Sequence, residues 1–263
     1  MFVFRELSHG YHEDGDEPWP VIGLGRVPVR VHGVGVYYRR FFGRDDDHFE
    51  AIRTEHAFQS LTESTKPGTA HHSGIYLTPV TRNGDELRFR LLRCSTNLSG
   101  PTESFRPTDR RMGSHSDQAL DLADDSFIAV FSCYRHPEAG PPRKLILESK
   151  DTGDERFEIP LSHHGVVVFS ADANRRLRHR IVLENPSGAA DNLWLGVTFR
   201  TSKTFVRYRD GQAHLPRGAR LTSADEEQRS EFYGLRRREN RETDFVYPPL
   251  TYTVSESDLM PPV

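Results

Sequence analysis

Ser126-Phe127-Ile128-Ala129-Val130-Phe131, Lys144-Leu145-Ile146-Leu147-Glu148, Gly165-Val166-Val167-Val168-Phe169, Arg180-Ile181-Val182-Leu183 and Leu193-Trp194-Leu195-Gly196-Val197-Thr198-Phe199-Arg200 decide the fold class. Each is a short run rich in β-branched and aromatic residues, the composition of a strand on a pleated, half-buried surface. Connections of roughly 8–15 residues separate them, the cadence of an antiparallel sandwich or barrel. No helical pattern interrupts the series, which excludes a βαβ reading. The expectation is a mainly β chain.

Upstream, Ile75 to Val80 and Leu87 to Cys94 flank Asn83-Gly84-Asp85, a hairpin turn signal between two strand-like runs. Val27 to Tyr38 alternates enough for a strand or two. Asp45-Asp46-Asp47 is placed to cap a helix running to about Ser64, with acidic residues where the helix dipole prefers them. Residues 8–20 are acidic and turn-like, the pattern of a surface loop. Downstream of Lys203, Ser223-Ala224-Asp225-Glu226 has the spacing of a capping box and opens a short helix ending near Arg236-Arg237-Arg238. The tail from Tyr247 to Val263 reads as irregular.

The chain has 263 residues, 35% of them hydrophobic and 28% charged, with a formal net charge of −3. That length suffices for one large domain with a core. No apolar run is long enough to span a bilayer, and Met1 to Glu6 lacks the pattern of a signal peptide. Cys94 and Cys133, both in apolar or small-residue runs, read as reduced and buried, so a cytoplasmic location is expected. The slight negative charge argues against holding duplex nucleic acid by phosphate neutralisation, which wants a basic face.

The chemistry concentrates in three places: Ser114-His115-Ser116-Asp117, Arg178-His179-Arg180 and Arg200. Residues one apart on extended chain point the same way, so His115 and Asp117 can grip one metal ion from one strand end. A second histidine from elsewhere would complete the two-His-one-carboxylate face that non-haem Fe(II) oxygenases use, which leaves three positions open. His163-His164 and His71-His72 are less suited, because adjacent side chains on extended chain diverge; both pairs read as turn residues. On the last strand Trp194, Gly196, Thr198 and Arg200 share one face, and Leu193, Leu195, Val197 and Phe199 form the core face. The Arg236–Arg238 run suits a helix C-terminus, which favours cations.

The stretch from Arg111 to Lys203 resembles the double-stranded β-helix of the AlkB-like branch of the Fe(II)/2-oxoglutarate-dependent dioxygenases. The residues that carry this are Ser114-His115-Ser116-Asp117, Phe127 to Ser132, Leu161 to Phe169, Arg178-His179-Arg180-Ile181 and the closing Gly196-Val197-Thr198-Phe199-Arg200. The resemblance implies a jelly-roll, cupin-like core over about 70–205 within a single domain spanning 1–263, with flanking helices and loops. It implies His115, Asp117 and His179 as Fe(II) ligands and Arg200 as the partner of a 2-oxoglutarate carboxylate. Thr198 and Asn97 are expected beside that co-substrate, Gly196 to leave room for it, and Trp194 to contact the substrate. Repair enzymes of that branch usually carry a second arginine six positions before the last; here Trp194 stands there. With an aspartate at 117 rather than glycine or alanine, hydroxylation or oxidative dealkylation is the implied outcome.

Three functions follow from this reading. The first is an oxygenase acting on a small molecule, with a nucleoside, nucleotide or natural-product intermediate as the class to try first. The second is a nucleic-acid demethylase that flips an alkylated base into its pocket, with Arg207, Arg209, Arg217, Arg220 and Arg236–Arg238 as backbone contacts. Those arginines are interleaved with Asp225, Glu226, Glu227, Glu231 and Glu239, which breaks a continuous basic track. The third is a β-helix domain that binds a ligand without catalysis.

Overall fold

A computed structural model describes residues 29–31, 33–43, 46–55, 57–62, 70–91, 94–99, 113–151, 156–183 and 192–261. The acidic stretch at 8–20 lies outside them. In chain order the elements begin with β1 (Val29–Val31), β2 (Gly35–Tyr38), helix α1 (His48–Glu55), β3 (Gln59–Thr62) and β4 (Ala70–Leu77). There follow β5 (Val80–Asn83), β6 (Glu86–Arg90), β7 (Cys94–Ser99), β8 (Phe127–Tyr134), β9 (Lys144–Ser149), β10 (Arg156–Pro160) and β11 (Gly165–Ser170). The rest are α2 (Ala171–Arg176), β12 (Leu177–Val182), β13 (Trp194–Phe199), β14 (Phe205–Arg209), β15 (Gln212–His214), β16 (Thr222–Ser223), α3 (Glu226–Glu239) and β17 (Tyr252–Thr253).

Two antiparallel sheets form the central layers. The larger has the order β1-β2-β11-β8-β13-β7-β4-β3, the smaller β10-β9-β12. From β8 to β13 the chain passes back and forth between these sheets, which is the winding of a double-stranded β-helix. The smaller sheet gains a fourth segment where His115 pairs with His179 at the free edge of β12. Between the sheets lie Ile128, Val130 and Trp194 from the larger and Leu145, Leu147, Ile159 and Leu177 from the smaller, one contiguous apolar core. The period-two alternation that marked these runs is the cause: β11 alternates buried and half-buried from Gly165 to Ser170.

The outer face of the larger sheet is covered by α1. Phe49 and Ile52 pack on Phe131, Cys133, Leu195 and Val197, the second face of β8 and β13. Phe199 departs from its expected core position and is 48% exposed, because it stands past the end of that cover. A second small sheet, β15-β14-β6-β5, carries its own apolar cluster of Phe89, Val206, Ala213 and Leu221.

Several boundaries differ from expectation. The helix predicted to run to Ser64 ends at Glu55, since Gln59–Thr62 pairs with β4 instead. Its capping is as expected: the Glu50 N–H donates to the Asp47 carboxylate at 3.0 Å. The hairpin around Gly84 (φ 59°) is present but short, β5 to β6; its outer ends, Ile75–Leu77 and Cys94, turn away into β4 and β7, which pair with each other. His71 and His72 lie within β4 rather than in a turn, whereas His163 and His164 do form one. Helix α2 interrupts the β series; Ser170 caps it by accepting from the Ala173 N–H. The capping box of α3 sits two residues later than read, on Asp225 and Gln228, because Ser223 is held in β16 against Thr253. The tail is not wholly irregular, since β17 buries Tyr252 and Thr253. No described helix is long and apolar enough to cross a membrane.

Candidate metal centre

His115 and His179 face each other as a doubly hydrogen-bonded antiparallel pair. The His115 N–H donates to the His179 carbonyl at 2.9 Å, and the His179 N–H returns to the His115 carbonyl at 2.7 Å. Residues opposed in this way send their side chains to the same face, and the two rings lie 4.7 Å apart, centroid to centroid. Asp117, two residues on, falls on that face as period two requires. One donor atom each from His115, Asp117 and His179 lie within 4.8 Å of one another. The sequence named these three residues, and the structure brings them together.

The donors are prepared for a cation. The Nδ1–H of His115 donates to the Gly113 carbonyl at 2.9 Å, which leaves the Nε2 lone pair for a metal. His179 Nε2 stands 3.8 Å from Asp117 Oδ1, beyond a hydrogen bond but across the space an ion would occupy. Burial pushes the His179 pKa down to about 4 against the pull of Asp117, so its ring is neutral at pH 7. Burial would also raise the Asp117 pKa, but Arg200 and His179 outweigh it and hold the carboxyl well below the usual range. A neutral His179 imidazole and an ionised Asp117 carboxylate are the forms in which these two groups bind a metal. The donor set therefore fits a non-haem iron ion.

Arg200 follows β13, as expected, but its guanidinium is engaged by Asp117. Nε donates to Asp117 Oδ2 at 2.9 Å and Nη2 to Asp117 Oδ1 at 3.1 Å, a bidentate fork, while Nη1 donates to Ser95 Oγ at 3.0 Å. Each carboxylate oxygen has two lone pairs, so the fork leaves acceptor capacity for a metal.

Trp194, Gly196 and Thr198 share the inner face with Arg200. Trp194 is 6% exposed and set into the core, its Nε1–H donating to Ser132 Oγ at 2.6 Å and the Arg143 guanidinium over its ring at 5.1 Å. A Cβ at position 196 would lie 2.3 Å from two indole carbons of Trp194. The small residue thus makes room for the indole, and the space expected for a dicarboxylate beside Gly196 is filled by this ring. Thr198 is half-buried opposite Ser95. The backbone of Asn97 pairs with Gly196; its side chain lies outside the described residues.

No protein-family model matches the chain, and neither does any curated protein. Solved structures do match. One is the crystal structure of a Pseudomonas putida prolyl-4-hydroxylase, similar over 58% of this chain and 82% of that one, at 15% identity and a TM-score of 0.33.

Sequence reasoning missed the residues that hold the segment from His115 to Ala119 in place. Asn174 of α2 takes the Asp117 N–H on Oδ1 at 2.9 Å and gives Nδ2–H to the Asp117 carbonyl at 2.8 Å, closing both backbone polar groups of that residue. Ser116 Oγ–H donates to the Leu177 carbonyl at 2.8 Å. From α3, Arg236 and Asn240 reach the Ser116 backbone and Glu239 the Ala119 N–H. Of these the sequence had drawn attention only to the Arg236–Arg238 run, as helix-end cations or nucleic-acid backbone contacts, and to Glu239, as an acid interrupting it.

Proposed function

We propose that the chain is an Fe(II)/2-oxoglutarate-dependent dioxygenase that hydroxylates a C–H bond of a small molecule. The observation that carries this is the convergence of His115, Asp117 and His179 at the edge of a double-stranded β-helix, with Asp117 held ionised and His179 held neutral. His115 Nε2, the Asp117 carboxylate and the His179 ring would hold the iron. Bound there, iron with 2-oxoglutarate and O2 as co-substrates supplies the oxidation of C–H to C–OH, with succinate and CO2 as the other products.

The remaining roles belong to the chain itself. Arg200 fixes the plane of the Asp117 carboxylate and keeps it ionised. Its Nη1 edge, now on Ser95, is the edge we assign to a 2-oxoglutarate carboxylate, which would replace the serine hydroxyl without breaking the fork. Thr198 and Asn97 we assign to the same co-substrate, Thr198 standing opposite Ser95 in the β13–β7 pairing. A substrate contact for Trp194 would be confined to the little of it that remains exposed, 6%. Closeness to the AlkB-like branch rests on the closing Thr198-Phe199-Arg200 and on the His115–Asp117 spacing. A small-molecule substrate, a nucleoside, nucleotide or natural-product intermediate first, accords with the net charge of −3.

The test is anaerobic titration with Fe(II) and 2-oxoglutarate, watching for the weak visible charge-transfer band of the chelated complex. The band should appear in the wild type, and His115→Ala and Asp117→Ala should abolish conversion of 2-oxoglutarate to succinate while keeping the far-ultraviolet circular dichroism of the fold. Absence of the band under every condition, or retained turnover in both variants, removes the assignment.

A further inference from the structure

Residues 115–119 are held from two sides. The barrel holds His115 through β12 and Asp117 through Asn174. Ser116, the residue between the two ligands, has its backbone held from outside the barrel by the C-terminal end of α3. Its N–H donates to Asn240 Oδ1 at 2.9 Å, and its carbonyl accepts from Arg236 Nη2 at 3.1 Å. These are not two groups of one plane. The Ser116 N–H belongs to the peptide that joins it to His115, and its carbonyl to the peptide that joins it to Asp117. Fixing both planes fixes the dihedrals between the two Cα atoms that carry the ligands, and so the angle at which the imidazole and the carboxylate meet.

The α3 end is itself rigid. Glu239, 4% exposed, accepts the Ala119 N–H on Oε1 at 2.7 Å. Its Oε2 accepts from Arg236 and, at 2.6 Å, from the Tyr247 hydroxyl. Lys150 Nζ donates to the Glu239 carbonyl at 2.6 Å and the Glu242 carbonyl at 3.3 Å, tying the helix terminus to the end of β9. Asn240 is the C-cap, its own N–H bonded to the Arg236 carbonyl. A part-buried, multiply bonded cluster of this kind, centred on buried Glu239, keeps its geometry, and it ends on the segment that carries His115 and Asp117.

We infer that Asn240 and Arg236, backed by Glu239, are positioning residues that set metal affinity by holding the peptide planes on either side of Ser116. The inference rests on the reading of His115, Asp117 and His179 as metal ligands. Outer partners of this type are worth about 10–100-fold in metal affinity. A helix that merely packs on the barrel would affect stability and leave affinity unchanged.

The experiment is a Co(II) titration of the full chain, read from the visible absorption of the bound ion, beside thermal melting of the metal-free protein. Asn240→Ala removes the acceptor for the Ser116 N–H; Asn240→Asp keeps an oxygen in the same place. Asn240→Ala should weaken Co(II) binding about 10-fold or more while remaining folded at the assay temperature, and Asn240→Asp should bind within a few-fold of the wild type. If Asn240→Ala does not fold, Asn240→Leu takes its place: it too removes the acceptor, is close to asparagine in size, and suits the right-handed backbone at this position (φ −71°). Equal affinity in wild type and Asn240→Ala, or equal weakening by alanine and aspartate, overturns the positioning role. No Co(II) binding by the wild type removes the metal-site reading and this inference with it, an outcome distinct from the other two.

Discussion

The guanidinium of Arg200 lies across both carboxylate oxygens of Asp117, Nε on Oδ2 at 2.9 Å and Nη2 on Oδ1 at 3.1 Å. Both side chains are largely shielded from water, at 15% and 9% exposure. Removing one partner of a shielded pair leaves the other charge uncompensated, a loss of about 3–5 kcal/mol. Arg200→Ala should therefore destabilise the metal-free protein by about that much in urea unfolding, and a divalent ion, which meets the stranded carboxylate, should restore part of it. The same variant should raise the 2-oxoglutarate requirement steeply. An Arg200→Ala protein as stable as the wild type would show that the fork contributes nothing net; an unchanged co-substrate requirement would place the co-substrate clamp elsewhere.

What was legible in the sequence is what depends on near neighbours. The runs at 126–131, 144–148, 165–169 and 193–200 announced strands because alternation and β-branching are local, and His115 with Asp117 announced a ligand pair because period two is local. The supports of that pair were hidden because their partners are far along the chain: Asn174 acts on Asp117 across 57 positions and Asn240 on Ser116 across 124. Helix α2 escaped notice because six residues, Ala171–Arg176, are too few to show a helical period. Arg200 was placed correctly at the end of the last strand, yet its chief partner, 83 positions away, could only be seen in three dimensions.

Acid should unfold the protein earlier than its carboxylates alone would require, and His163 is one cause. Its Nδ1 accepts the Tyr134 N–H at 3.1 Å, which only the neutral ring can do. Burial, then the neighbouring His164, pushes its pKa down to about 4 from an ordinary 6.5. The unfolded chain thus binds this proton more readily than the fold does. The stabilising contribution is complete above about 6.5 and declines as the pH falls toward 4. His163→Asn keeps an acceptor near the same place but cannot titrate. Unfolding free energies measured between pH 7 and 4.5 should fall less steeply for His163→Asn than for the wild type; parallel slopes would clear His163 of the effect.

Gly196 and Trp194 should behave as a coupled pair. A methyl at 196 would sit 2.3 Å from the indole carbons, so Gly196→Ala must displace a ring that is itself bonded to Ser132. Overpacking of this kind costs about 1–3 kcal/mol. Trp194→Leu creates space instead, and the double variant should recover part of the loss, giving a non-zero interaction energy in a double-mutant cycle followed by thermal melting. Simple additivity of the two changes would mean that the indole has room to move aside.

The substrate class separates on salt. A protein that neutralises several phosphates loses affinity steeply as salt rises, roughly in proportion to the number of contacts. In this chain Arg236 is turned inward to Ser116, and Arg238 pairs with Glu242 through Nε at 2.9 Å, so two of the arginines suited to a nucleic-acid backbone are already engaged. Arg207 donates to the Pro216 carbonyl at 3.0 Å. Binding of single-stranded and duplex oligonucleotides, measured by fluorescence anisotropy between 50 and 200 mM salt (the range over which phosphate contacts show most clearly), should be weak, with a shallow slope. Mononucleosides and nucleotides should by contrast accelerate succinate formation if they are substrates. Tight oligonucleotide binding with a steep slope would instead favour the demethylase, with Arg209, Arg217 and Arg220 as the first positions to neutralise.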